Sequence, residues 1–135
     1  MPHLIATALT GAALALLPAM AAPSAHAAAA PATWPTGHLR LTLTSPEANA
    51  SGTRTATLLC GPDVGSHPEA AKACRELAAR GGEIERDPAD TACVLIYAPV
   101  VAAAEGHWQG RPVRFEQEYP NDCVMRAHTG QVFAF

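Results

Sequence analysis

The chain has 135 residues, a formal net charge of −3, and 49% hydrophobic against 16% charged side chains. That balance excludes an intrinsically disordered chain, which combines high net charge with few apolar residues. It also provides no basic excess of the kind that nucleic-acid binding requires.

Residues 1–27 read as a secretory signal peptide. Residues 4–17 form an apolar core, and Ala25-His26-Ala27 offers the small residues that a signal peptidase needs. His3 is the one basic side chain ahead of that core. As a membrane span the segment is too short and is interrupted by Gly11 and Pro18, because crossing a bilayer takes about 20 apolar residues. Cleavage near Ala27 or Ala28 would leave about 108 residues, one small exported domain. Every Lys, Arg, Asp and Glu lies at or beyond Arg40, so the exported part keeps the whole charge.

All four cysteines, Cys60, Cys74, Cys93 and Cys123, lie in that part, and an exported chain oxidises them. Two disulfides follow, with three pairings open. None of the cysteines is spaced CxxC, which speaks against a zinc or redox site. Pairing sequence neighbours would close loops of about 15 and about 31 residues, stabilising by about 3 to 4 kcal/mol each in the chain-entropy model.

Residues 28–38, rich in Ala and Pro at their start, read as a flexible mature N-terminus, and the folded domain is expected over 39–135. Leu39, Leu41 and Leu43 alternate with Arg40, Thr42 and Thr44, the period of a half-buried strand. Residues 46–52 form a turn or loop holding Asn49-Ala50-Ser51, an N-glycosylation triplet. A second strand over 53–60 pairs with the first as a hairpin.

Ser66-His67-Pro68-Glu69 has the Ser-x-x-Glu spacing of a capping box, with proline inside the first turn of a helix that Gly81-Gly82 ends. Ala70, Ala73, Cys74 and Leu77 fall on one face of it, which turns Cys74 toward the sheet, within reach of Cys60. His67 is read as structural, since no carboxylate or second histidine sits at a ligand spacing. Residues 83–90 are a solvated connector.

Then comes the stretch 91–100, where uncharged Val94, Leu95 and Ile96 lie between Cys93 and Pro99. On periodicity alone this is a buried strand; held out from the body, it would be a recognition loop. Residues 100–108 read as a strand with a bulge at Glu105-Gly106. Gln109-Gly110-Arg111 is a turn, and Val113, Phe115, Gln117 and Tyr119 alternate in a returning arm, so this long hairpin is expected at the centre of the sheet. A short helix over 121–127 and an apolar last strand over 132–135 complete the chain.

No catalytic constellation emerges. Ser45, Ser51 and Ser66 are the serines of the exported part, and none lies in a Gly-x-Ser-x-Gly turn. His38, His67, His107 and His128 are far apart, and no His-x-x-x-His pair places two imidazoles on one helix face. Glu83/Glu85 and Glu116/Glu118 read as solvated faces. An enzyme is therefore not expected, nor a cofactor or metal.

With Cys60-Gly61-Pro62 leading to Gly65-Ser66-His67-Pro68 and then Ala73-Cys74-Arg75-Glu76-Leu77, the sequence resembles the Streptomyces subtilisin inhibitor family of secreted serine protease inhibitors. The likeness continues through residues 93–100, Gly106-His107-Trp108-Gln109-Gly110, Asn121-Asp122-Cys123, Ala127-His128 and Val132-Phe133-Ala134-Phe135. It implies an α+β domain, a single five-stranded antiparallel sheet with two helices packed on one face. It also implies disulfides Cys60–Cys74 and Cys93–Cys123 and a homodimer formed through the sheet. By position, the reactive-site bond would join Leu95 to Ile96. Leu95 would fill the S1 pocket, Ala92, Cys93, Val94 and Tyr97 would line the protease cleft, and Asn121 and Cys123 would support the loop.

The implied partner is an extracellular serine protease, subtilisin-like or chymotrypsin-like, with no nucleic acid or membrane involved. Three positions depart from the family pattern. Val94 stands where many relatives carry proline, Ala98 where they carry an acidic residue, and Arg75 where they carry a smaller or acidic one. The first two imply a less rigid loop. The rival reading is a secreted binding or structural domain on the same scaffold that does not inhibit.

Overall fold

The computed structural model describes residues 35–46 and 52–135. The signal peptide expected over 1–27, most of the expected tail and the Asn49 triplet lie outside the described residues. The elements are β1 (Gly37–Thr44), β2 (Thr53–Cys60), β3 (Val64–Gly65), α1 (Ala70–Ala79), β4 (Val100–Trp108), β5 (Arg111–Tyr119) and α2 (Asp122–Thr129). The strands form one sheet in the order β3-β2-β1-β4-β5, with every neighbouring pair antiparallel.

The leucine alternation does what its period predicts. Leu39, Leu41 and Leu43 are fully buried beneath β1, joined by Leu58 from β2 and by Ala102 and Ala104 from β4. Both helices pack on this face, α1 under β2 and α2 under β4 and β5, and close the core with Ala73, Leu77 and Met125. Cys74 faces the sheet and bonds to Cys60, and Cys93 bonds to Cys123.

The strand positions differ from expectation in three respects. β1 begins at Gly37, two residues inside the segment read as a loose tail, because Gly37 and His38 pair on both sides with β2 and β4. β1 is therefore the central strand, and the β4–β5 hairpin lies beside it with β5 at the edge. The fifth strand is the short β3, since residues 132–135 form no strand. They follow a turn in which the Val132 and Ala134 amides donate to the Thr129 and Gln131 carbonyls, and this drives Val132 and Phe133 into the core. An apolar run signals burial whichever backbone delivers it.

No bulge interrupts β4. The ladder runs through Glu105 and Gly106 against both neighbours, and Gly106 adapts at φ 152°, where a Cβ would run into the His38 carbonyl. The hairpin turn is Gln109-Gly110, with φ 49° and 75°, the two positive values that a two-residue turn between twisted strands requires.

The expected capping box is not formed. Ser66 Oγ accepts from the Thr57 amide at 2.9 Å, tying the chain after β3 to β2, and α1 starts only at Ala70. His67 acts there instead. Its Nδ1 accepts the Glu69 amide at 3.0 Å, which places the ring proton on Nε2, and Nε2 donates to the Val132 carbonyl at 3.0 Å. With both nitrogens engaged and 4% exposure, His67 joins the start of α1 to the C-terminal turn.

Candidate functional site

Residues 91–99 carry no regular secondary structure, and the run that periodicity alone assigns to the core stands in solvent. Leu95 is 101% exposed relative to an extended reference, with Val94, Ile96 and Tyr97 each more than three-fifths exposed. Together with Val64 these are the large exposed hydrophobics among the described residues. Four consecutive apolar side chains in water cost solvation free energy that a core strand would recover. The loop holds that position because its ends are fastened elsewhere.

The main fastener is the N-terminus of α2. Asn121 caps it, its Oδ1 accepting the Val124 amide at 2.9 Å. The same side chain donates from Nδ2 to the Val94 carbonyl at 3.3 Å and to the Ile96 carbonyl at 2.9 Å. One amide thus bridges the residues on either side of Leu95. Cys123, in the first turn of α2, is bonded to Cys93 with a Cα–Cα distance of 5.7 Å. The Ala98 amide donates to the Pro120 carbonyl at 2.9 Å, and Pro99 and Val100 then enter the buried sheet.

The approach to the loop is anchored at the other end of the same helix. The last carbonyls of a helix have no partner within it. Here the amides of Arg86 and Ala89 donate to the His128 and Ala127 carbonyls at 2.9 and 3.0 Å, and Arg86 Nε adds a bond to Ala127 at 3.1 Å. The connector that reads from sequence as solvated is therefore laid along α2. Beneath the loop a cleft of about 460 Å³, lined in part by Val94, Ile96, Ala98 and Val100, separates it from the body.

At the base of the loop, burial pushes the Tyr119 phenol up to about 12, and the nearby Glu85 carboxylate adds to the shift. Its hydroxyl is buried with no partner at hydrogen-bond distance.

The structure gathers every residue expected at the site. Ala92, Val94, Leu95, Ile96 and Tyr97 are on the exposed face, Cys93 and Cys123 form the staple, and Asn121 spans the crest. Arg75 is exposed on α1, away from these tethers. Sequence reasoning misses the Pro120 carbonyl and the Arg86 and Ala89 anchors. Backbone carbonyls carry no residue signature, so only the pairing reveals them.

Residues 35–121 match the subtilisin inhibitor-like family. The chain is 43% identical over 128 residues to a Streptomyces avermitilis protein provisionally named as a serine protease inhibitor, an alignment covering 94% of this chain and 86% of that one. It is 42% identical over 89 residues to the subtilisin inhibitor of Streptomyces albogriseolus, covering 64% and 62% of the two chains. Among solved structures, Streptomyces caespitosus sermetstatin in complex with Bacillus licheniformis subtilisin superposes with a TM-score of 0.58 at 29% identity, over 73% of this chain and 98% of that one.

Proposed function

The chain belongs to the subtilisin inhibitor-like family, and from that membership we propose that it is a secreted, substrate-like inhibitor of serine proteases that offers the Leu95–Ile96 bond to its target. The observation that carries the reading is the bridge from Asn121 to the Val94 and Ile96 carbonyls across a fully exposed Leu95.

The mechanism follows from where those bonds sit. An extended segment enters a protease cleft as an added strand, with Leu95 in the S1 pocket. Because the loop is already ordered, little conformational entropy is lost on association, and an interface of about 1,600 Å² can reach nanomolar affinity or better. Attack by the enzyme's serine on the Leu95 carbonyl breaks the bond to Ile96, leaving an acyl-enzyme on Leu95 and a free amine on Ile96. Val94 lies on the acyl side of that cut and Ile96 on the amine side, and Asn121 holds both. The Cys93–Cys123 bond retains the first fragment, and the Ala98 amide with β4 retains the second. The amine stays beside the ester, so religation competes with hydrolysis and turnover stalls.

Leu95 suits the hydrophobic S1 pockets of subtilisin-like and chymotrypsin-like enzymes. Trypsin, whose pocket carries an aspartate, is expected to be inhibited poorly. Secretion is supported by the signal-like pattern of residues 1–27 and by two disulfides, which persist in oxidising surroundings. No helix among the described residues is long and apolar enough to cross a membrane. A homodimer formed through the sheet is supported by the outer face of β1 and β4, where Thr42, Thr44, Val101 and Ala103 are half-buried and no element among the described residues packs over them. Sedimentation equilibrium at micromolar protein tests that assembly.

Titrating subtilisin with the purified protein tests the main reading. Activity should fall in proportion to inhibitor added and vanish near equivalence. Unimpaired turnover at micromolar protein would instead support the rival, a secreted domain that binds without inhibiting.

A further inference from the structure

Arg86 grips the C-terminal end of α2 twice. Its backbone amide donates to the His128 carbonyl at 2.9 Å and its Nε to the Ala127 carbonyl at 3.1 Å, which the Ala89 amide also reaches at 3.0 Å. Building on the inhibitor reading, we propose that the Arg86 side chain is a positioning residue for the Leu95–Ile96 bond. It fixes the direction from which the acyl-side strand reaches Leu95, and so favours religation over release.

The Cys93–Cys123 bond holds one point of that strand, and a strand held at one point pivots about it. A second point upstream sets the direction. Ala89 and Cys93 are as far apart in sequence as Cys123 and Ala127, the helix residues to which they are fastened. Along the helix axis that separation is about 6 Å, whereas an extended segment of the same length spans about 13 Å. The surplus is taken up by a tight turn in which the Thr91 amide donates to the Ala89 carbonyl at 2.7 Å. The approach therefore lies along α2 with both of its ends fixed to the helix.

The clasp uses carbonyls that a helix leaves unpaired at its C-terminus. Each has two lone pairs, so Ala127 accepts from Arg86 and Ala89 together. A guanidinium suits this end because it opposes the negative pole of the helix and because a charged donor makes the stronger bond. Room for it depends on Gly130, where a Cβ would lie 3.3 Å from Arg86 Cζ and collide with Glu76 Oε2. Glu76 accepts the Gln131 amide at 3.0 Å, which ties α1 to the same corner. Arg86 sits at the opposite end of α2 from Asn121, so it acts through the strand and not on the protease.

Before cleavage the loop is closed on both sides of Leu95; afterwards the acyl strand has a free end. Loosening Arg86 therefore gives more freedom to the cleaved form than to the intact one, and the equilibrium between them moves toward cleavage.

Incubating the protein with catalytic amounts of subtilisin, and separating cleaved from intact chains by reversed-phase chromatography, tests the role. Arg86→Met should raise the equilibrium ratio of cleaved to intact protein, and kcat for cleavage, by about fivefold or more, the order of one lost hydrogen bond. KM should stay close to that of the parent, since Leu95 and its Asn121 bridge are untouched. Arg86→Lys, which keeps a cationic donor, should return most of the way to the parent. Leu43→Val lowers the melting temperature from within the core and should leave the ratio and kcat unchanged. An equal shift in Leu43→Val would reduce Arg86 to a structural role and overturn the proposal. So would a parent-like ratio and kcat in Arg86→Met while the parent inhibits stoichiometrically, an outcome that leaves the inhibitor reading standing. A parent that neither inhibits subtilisin nor is cut between Leu95 and Ile96 would remove that reading, and the role of Arg86 with it.

Discussion

The side-chain amide of Asn121 donates to the Ile96 carbonyl at 2.9 Å while the oxygen of the same group caps α2. The rigidity of a helix end is thereby transferred to an exposed loop, through a residue that also holds Val94 on the other side of Leu95.

Asn121→Asp separates the two roles. Aspartate keeps the capping oxygen and suits a helix N-terminus, but it offers an acceptor where the two loop carbonyls need a donor. Thermal stability should stay within about 1 kcal/mol of the parent. Inhibition of subtilisin should weaken about tenfold or more, the equivalent of one to two lost hydrogen bonds, and the Leu95–Ile96 bond should be hydrolysed faster on long incubation. Inhibition as tight as the parent's would remove Asn121 from the mechanism.

Leu95→Lys changes a side chain that stands fully in solvent. Folding stability should move by no more than about 0.5 kcal/mol, as for other surface substitutions. Preference should turn toward trypsin, whose S1 aspartate pairs with the lysine. A target profile identical to that of the parent would mean that another bond is presented.

Cys93 and Cys123 are half-buried, whereas Cys60 and Cys74 are 3% and 4% exposed. Mild reduction should therefore open Cys93–Cys123 first, read by alkylation and peptide mapping. The Cys93→Ser/Cys123→Ser variant releases a closure spanning 30 positions and should lose about 3 to 4 kcal/mol of stability. It should also pass from inhibitor to substrate, with the loop cleaved and not religated. Slow, reversible cleavage in that variant would show that the hydrogen bonds suffice.

Tyr119 binds its proton more tightly in the folded protein, at about 12 against 10.0 for the free phenol. Its stabilising contribution is complete below about pH 10 and is lost as pH rises through about 12. Melting temperatures measured across that interval should fall more steeply for the parent than for Tyr119→Phe, which has no proton to lose. Parallel falls would assign alkaline unfolding to other groups.

Where a signal is local, the sequence was read correctly. The Leu39, Leu41, Leu43 alternation, the apolar face of α1 and the Gln109-Gly110 turn each depend on residues within a few positions of one another. The failures share one cause. Ser66-x-x-Glu69 has the spacing of a capping box, yet Ser66 is drawn to Thr57 and His67 takes over the helix start, a choice made by β2 and by Val132. Residues 132–135 are buried as their composition suggests, but by a turn where a strand was expected.

The sequence by itself determined that the cysteine-bearing part is a small domain with two disulfides, and its family likeness pointed to Leu95 and Ile96, both of which stand exposed in the structure. Tertiary structure alone decided how those residues are held and which strand is central. An apolar Val94-Leu95-Ile96 run is compatible with core or solvent. What keeps it in solvent is a set of contacts from Pro120, Asn121 and Cys123, more than 20 residues along the chain. Register likewise sets His38 opposite His107. Such contacts arise from closure of the whole fold, and no local period encodes them.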